Sequence, residues 1–157
     1  MKTSISIRRL ALMLPLLWQV PVVANTTSFD AALSTHLAAI ENRDWVAFES
    51  TLTEADTLTF ILPNGRLSKS SAEFKKSTQA WLADRDWSWS YQILSTTSNA
   101  NAGVAVLDVK YADLDEAGVE YKMHYLLSLV FNKERGGWRL MHDQNTLLSK
   151  YAVSHNK

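Results

Sequence analysis

The sequence predicts an α+β domain in which N-terminal helices cover one face of a curved antiparallel sheet. Three observations carry this. Helical spacing is confined to the part of the chain before residue 83, at Phe29, Leu33, Leu37 and Ile40 and again at Phe74, Thr78, Trp81 and Leu82. The second half holds long alternating segments at about 87–97, 102–113, 119–132 and 138–147, separated by Asn99-Ala100-Asn101, Asp115-Glu116-Ala117-Gly118 and Gly136-Gly137. The 157 residues include no cysteine, so core packing without disulfides must hold the domain together. Helices first and a strand meander afterwards give an α+β architecture.

Each element has its local signal. Thr26, Thr27 and Ser28 are candidate N-caps for the first helix. Asn42-Arg43-Asp44 breaks that helix, and Asp44 can cap a short second one carrying Trp45, Phe48 and Leu52. Residues 57–62 read as a strand turned by Pro63-Asn64-Gly65. Ser70 or Ser71 caps a third helix. The polar tail, residues 150–157, is expected to fray.

The first residues read as an address. Lys2, Arg8 and Arg9 precede an apolar run over residues 10–23 that ends in Val22-Val23-Ala24. This is the pattern of a signal peptide cleaved after Ala24, leaving a single domain over 25–157 in the periplasm or outside the cell. A membrane-spanning helix needs about 20 apolar residues; this run is shorter and is interrupted by Pro15, Gln19 and Pro21. Arg8-Arg9 keeps a twin-arginine route open beside the general secretory one.

Composition then excludes several functions. The leader takes three basic and no acidic residues with it, so the remaining chain carries a formal charge of −3. Nucleic-acid binding needs clustered Lys and Arg and is not expected. Without a basic amphipathic helix, no membrane contact is expected after cleavage. His36, His124, His142 and His155 lack metal-ligand spacing, and there is no glycine-rich phosphate loop, nucleophile elbow or cysteine nucleophile. No metal and no cofactor are expected.

The last strand holds the most chemistry. Residues 138–146 carry a histidine, a carboxylate and two amides through an apolar pattern. Burying such groups without partners costs roughly 1–3 kcal/mol each, so the strand lines a wet cavity or satisfies them internally. A short hairpin through Arg135-Gly136 puts Trp138 opposite Lys133 and His142 opposite Leu129. Trp138, Leu140, His142 and Gln144 then share the helix-facing side with Met123, Tyr125, Leu127, Leu129 and Phe131. Lys122, His124, Ser128, Arg139, Met141 and Asp143 fall on the outer side, suited to solvent or a dimer contact, with Asp143 able to pair with Arg139. A shift of one residue would exchange the two sides.

Ala38-x-x-x-Asn42-Arg43-Asp44-x-x-x-Phe48, Leu52-x-Glu54-Ala55-Asp56, Phe60-x-x-Pro63-Asn64-Gly65 and Gly137-Trp138-Arg139-Leu140-x-His142-Asp143 follow in order. Together they resemble the nuclear transport factor 2-like superfamily, in its ketosteroid-isomerase-like and polyketide-cyclase-like (SnoaL-like) exported branches. The resemblance implies a cone enclosing a cavity between helices and sheet, and dimerisation through the outer sheet face. It leaves function open, because one fold hosts many chemistries. The isomerase branch places its general base immediately before the turn proline, where this chain has Leu62, which cannot carry a proton. The oxyanion-stabilising tyrosine of that branch aligns with His36. Cyclase-like members place an acid/base group elsewhere in the cavity, where Asp113 or Asp143 could serve.

The expected cavity wall comprises Phe60, Trp81, Trp89, Tyr111, Tyr125, Trp138, His142 and Gln144, with His36 at the helical edge and Asp113 at a strand end. Each has a structural alternative: a core histidine for His36 and His142, core packing for the aromatic row, a solvated turn for Asp113. The expected function is binding of a small apolar or aromatic molecule without catalysis, by a homodimer. Two other readings stand beside it. One is a proton-transfer enzyme for a hydrophobic cyclic substrate, using His142 with Asp113 or Asp143; the other is an assembly module. No catalytic residue is assigned.

Overall fold

The computed structural model describes residues 27–153. The leader, the cap candidate Thr26 and His155 lie outside the described residues. The order of elements is α1 (Phe29–Glu41), α2 (Trp45–Glu49), β1 (Thr57–Ile61), β2 (Leu67–Ser70), α3 (Ser71–Ala83), β3 (Ser88–Ser98), β4 (Ala102–Leu114), β5 (Glu120–Glu134) and β6 (Gly137–Ala152). One six-stranded sheet runs β2-β1-β6-β5-β4-β3. Its pairs are antiparallel except β1 with β6, which are parallel.

The helices begin where the capping chemistry puts them. Ser28 Oγ accepts from Ala31 N at 3.2 Å, Asp44 Oδ1 from Ala47 N at 3.0 Å, and Ser70 Oγ from Glu73 N at 3.1 Å. Between α1 and α2, Arg43 takes a left-handed φ of 54°, which turns the chain sharply. The α2 helix closes after one turn at Glu49, so Leu52 lies beyond it and bridges to Leu140 of β6. The buried face of α1 packs on the sheet through Phe29, Leu33, His36, Leu37 and Ile40. The ring of Phe29 meets Phe131 and Trp138 edge-on, with centroids 5.8 and 5.6 Å apart.

Strand β2 carries little apolar alternation in its Leu-Ser-Lys-Ser sequence, and no strand was expected there. Its pairing with β1 and its hand-over to the Ser70 cap make it a strand. Residues 150–152, expected to fray, continue β6, with Ala152 paired to Tyr121. Among the described residues no helix is long and apolar enough to cross a membrane.

Candidate functional site

The β5–β6 hairpin turns through Arg135-Gly136, and Gly136 takes the positive φ of 97° that the turn requires. Trp138 pairs with Lys133 as the spacing predicts, and Leu140 pairs with Phe131. The register then slips: His142 pairs with Val130 and Asp143 with Leu129, leaving Met141 as the extra residue of a β-bulge. Because side chains alternate strictly, this one residue reverses the two sides of the strand from His142 to Leu147, where a second slip at Leu148 restores them. Asp143 and Asn145 turn toward the helices. His142 and Gln144 turn away.

The inward side closes a cavity of about 280 Å³ between the helices and the sheet. Phe60 of β1 and the following Leu62 and Pro63 form one wall. Helix α3 contributes Phe74, Ser77, Thr78 and Trp81, and the tip of the α1–α2 region adds Ile40 and Phe48. From the sheet come Trp89, Tyr111, Tyr121, Met123, Tyr125 and Leu127, with Asp143 and Asn145 on β6.

The wall is held by its own polar atoms. Trp81 Nε1 donates to Tyr111 Oη at 3.1 Å, and Trp89 Nε1 donates to Tyr125 Oη at 3.2 Å. Tyr111 Oη donates to Asp113 Oδ2 at 2.5 Å, and Tyr121 Oη reaches the same oxygen at 3.4 Å. Burial first, then the Asp113 carboxylate, pushes the Tyr111 phenol well above its ordinary range. Burial likewise raises Tyr125. Behind them Trp87 stacks on Trp81 at 4.4 Å, and the Arg43 guanidinium lies 3.8 Å from the Trp87 ring centroid while donating to Trp87 O. The break after α1 is thus pinned to the start of β3.

Asp143 is the one ionisable carboxyl or cationic side chain on the wall. Asn145 Nδ2 donates to its Oδ1 at 2.8 Å and to Ile61 O at 3.1 Å, so both amide protons are used. Oδ2 has no protein hydrogen bond among the described residues. Burial raises the carboxyl to about 7, against the opposing effect of the Asn145 bond. A group poised there exchanges a proton readily at neutral pH.

Of the residues expected around the cavity, Phe60, Trp81, Trp89, Tyr111 and Tyr125 stand on its wall. The other five do not. His142 and Gln144 face outward because of the bulge at Met141. Asp143, expected outside and beside Arg139, faces inward without that partner. Trp138 precedes the bulge and faces the helices, but it is core, covered by Phe29. His36 is fully buried in the core, its Nδ1 2.7 Å from Thr51 Oγ1 and its ring against Phe48 and Phe131. Only Ile40, one turn later on α1, reaches the cavity. Asp113 is occupied at both oxygens, by Leu114 N at 2.8 Å and by the two tyrosines, and acts as their anchor. Asp143 entered the cavity only in the proton-transfer alternative, its expected register placing it on the outer side, and Asn145 was not expected there, although a carboxylate and an amide two residues apart are as much a polar row as His142 and Gln144. Among the described residues no three His, Asp or Glu side chains converge as a metal site would require.

A helix-covered, curved, open sheet with an apolar cavity defines a nuclear transport factor 2-like domain. Within that superfamily, the chain matches the SnoaL-like domain family over residues 30–147 and belongs to it. Solved structures share the fold at low identity. A ketosteroid isomerase-like protein from Erwinia carotovora atroseptica is 18% identical, with a TM-score of 0.62 over 76% of this chain and 93% of that one. A protein with a cystatin-like fold from Caulobacter vibrioides gives 17% and 0.64 over 76% and 87%. A hexachlorocyclohexane dehydrochlorinase (LinA) type 2 gives 10% and 0.61 over 78% and 84%. No curated protein matches the chain by sequence.

Proposed function

We propose that this domain binds a compact, mainly apolar small molecule in the cavity, with Asp143 as the polar contact that orients it. The observation that supports this most directly is the composition of the wall: eight aromatic side chains and a single carboxyl. Ligand sites combine such apolar lining with few polar groups, and a volume near the lower end of roughly 300–1,000 Å³ suits a small ring system. Export, which the pattern of residues 1–24 supports, and dimerisation through the outer sheet face, which the family resemblance implies, belong to the proposal. Native mass spectrometry of protein purified under non-denaturing conditions tests the binding. A discrete small molecule should accompany the wild type and be absent from Ser77→Trp, whose indole would fill the cavity. An empty wild type, or a mass that persists in Ser77→Trp, refutes the reading.

A second reading, proton transfer on a hydrophobic cyclic substrate, is favoured by one observation: the Asp143 carboxyl is raised to about 7 within the cavity. Leu62 lines the wall at the position where the isomerase branch carries its base, so that branch's reaction has no base there. Asp143 would take the proton instead. A cyclic ketone such as 2-tetralone offers acidic α-hydrogens whose exchange in D2O is visible by NMR. Catalysed exchange should fall by about 10²–10⁴-fold in Asp143→Asn, and the wild-type rate should climb with pH to a plateau above about 7. Equal exchange by both proteins excludes this chemistry.

A further inference from the structure

We infer that the occupant of this cavity is a hydrophobic amine in its ammonium form, its charge met by Asp143 and its apolar body lying against the tryptophan and tyrosine rings. The inference rests on the binding role proposed above and specifies the ligand's charge and hydrogen-bonding character.

The hydrogen bonds of the wall lead to it. The wall's potential donors are almost all engaged within the protein. Asn145 uses both amide protons, the Trp81 and Trp89 indoles bond to tyrosine oxygens, and the Tyr111 and Tyr121 hydroxyls point to Asp113. Ser77 Oγ donates to Phe74 O at 3.0 Å. Only the Thr78 and Tyr125 hydroxyls keep a proton with no assigned acceptor. Besides those two hydroxyls, the free capacity of the site is Asp143 Oδ2, which accepts once the carboxyl is ionised, so a charged donor on the ligand completes it.

The charge balance points the same way. No Lys, Arg or His lines the cavity, and no salt bridge among the described residues involves Asp143. Arg139, two residues away in sequence, lies across the bulge and bonds to Trp138 O. Lys150, further along β6, places its Nζ 4.2 Å from the Tyr121 ring centroid and makes no salt bridge among the described residues. A carboxyl enclosed without a counter-ion is held back from ionising, and an ammonium ligand would supply the missing charge. The aromatic faces add to this, since a ring's negative face attracts a cation within about 6 Å. A ligand carboxylate would meet Asp143 as a like charge. A neutral carbonyl ligand would need Asp143 to remain protonated and would gain nothing from the ring faces beyond burial.

Three probes of one shape separate these cases: 1-naphthylmethylamine, 1-naphthalenemethanol and 1-naphthoate, titrated calorimetrically into the folded protein at neutral pH. The amine should bind at least tenfold more tightly than the alcohol, with naphthoate weakest. Asp143→Asn, which preserves shape and removes charge, should abolish the preference, so that amine and alcohol bind the variant with equal affinity. An alcohol that binds the wild type as tightly as the amine overturns the inference while leaving the cavity reading intact. An amine preference that survives in Asp143→Asn overturns it equally. Failure of all three probes to bind the wild type refutes the cavity as a receptacle, and the inference with it.

Discussion

Gly103 shows how tightly a single position can be set. A Cβ built there would overlap the ring of Phe29, which packs edge-on against Phe131 and Trp138. The backbone at Gly103 is ordinary extended strand, so the constraint is space and not conformation. Phe29 is the first residue of α1 and cannot retreat without moving the helix. Gly103→Ala should therefore cost about 1–3 kcal/mol, the usual penalty for overpacking a core. Urea unfolding of the variant checks this, and a change below about 0.5 kcal/mol would mean that the helix end yields freely. His36 makes a related point. Thr51 Oγ1 donates to Phe48 O at 2.6 Å, so it accepts from His36 Nδ1–H, which leaves Nε2 buried without a partner. A histidine on the buried face of a helix is here a core group and not a ligand contact.

At the level of elements, the sequence disclosed more of the architecture than of the site. The three helices, their Ser28, Asp44 and Ser70 caps, and the long strands after them all follow from periodicity and turn chemistry. The aromatic wall on α3, β3, β4 and β5 was legible for the same reason: Trp89, Tyr111 and Tyr125 share a side with the large apolar residues of their strands, such as Tyr91, Val109 and Leu127. Strand β6 is different. Both of its sides carry polar residues, His142 and Gln144 on one and Asp143 and Asn145 on the other, so hydrophobic pattern alone cannot choose between them. The bulge at Met141 decides, and no glycine or proline marks it. Its cause is tertiary: Thr53 N donates to Leu140 O and Leu140 N to Thr51 O, tying the strand to the segment after α2 just before the slip. Beyond it, parallel pairing with β1 sets Phe60 beside Asp143. Contacts between segments some ninety residues apart leave no local trace.

For the molecule as a whole, the buried His36 and the half-buried Asp143 oppose each other as titratable groups. Burial lowers His36 from 6.5 to about 3. Between those values the unfolded chain binds a proton that the folded one does not, so this group's contribution to stability is lost as pH falls below about 6.5. Burial raises Asp143 from 3.8 to about 7. Between those values the folded protein holds the extra proton, so this contribution has the opposite sign and is lost as pH rises toward 7. Each slope approaches about 1.4 kcal/mol per pH unit at full effect. Over the shared window, about pH 4 to 6.5, they cancel, and wild-type stability from these two groups should be nearly flat. Asp143→Asn removes one side of the balance. The variant should exceed the wild type in stability near pH 7, where it no longer encloses a carboxyl that tends to ionise, and should converge with it near pH 4.5. Its own stability should then fall steeply on acidification through the His36 window. Urea midpoints for both proteins at pH 4.5, 5.5, 6.5 and 7.5 test this, because other groups titrate alike in the two and drop out of the difference. A difference that stays constant across that range would mean that Asp143 is ionised throughout, as a well-solvated carboxylate would be. The cavity would then be wetter than its aromatic wall implies, and an ammonium ligand would have less to gain from meeting the charge.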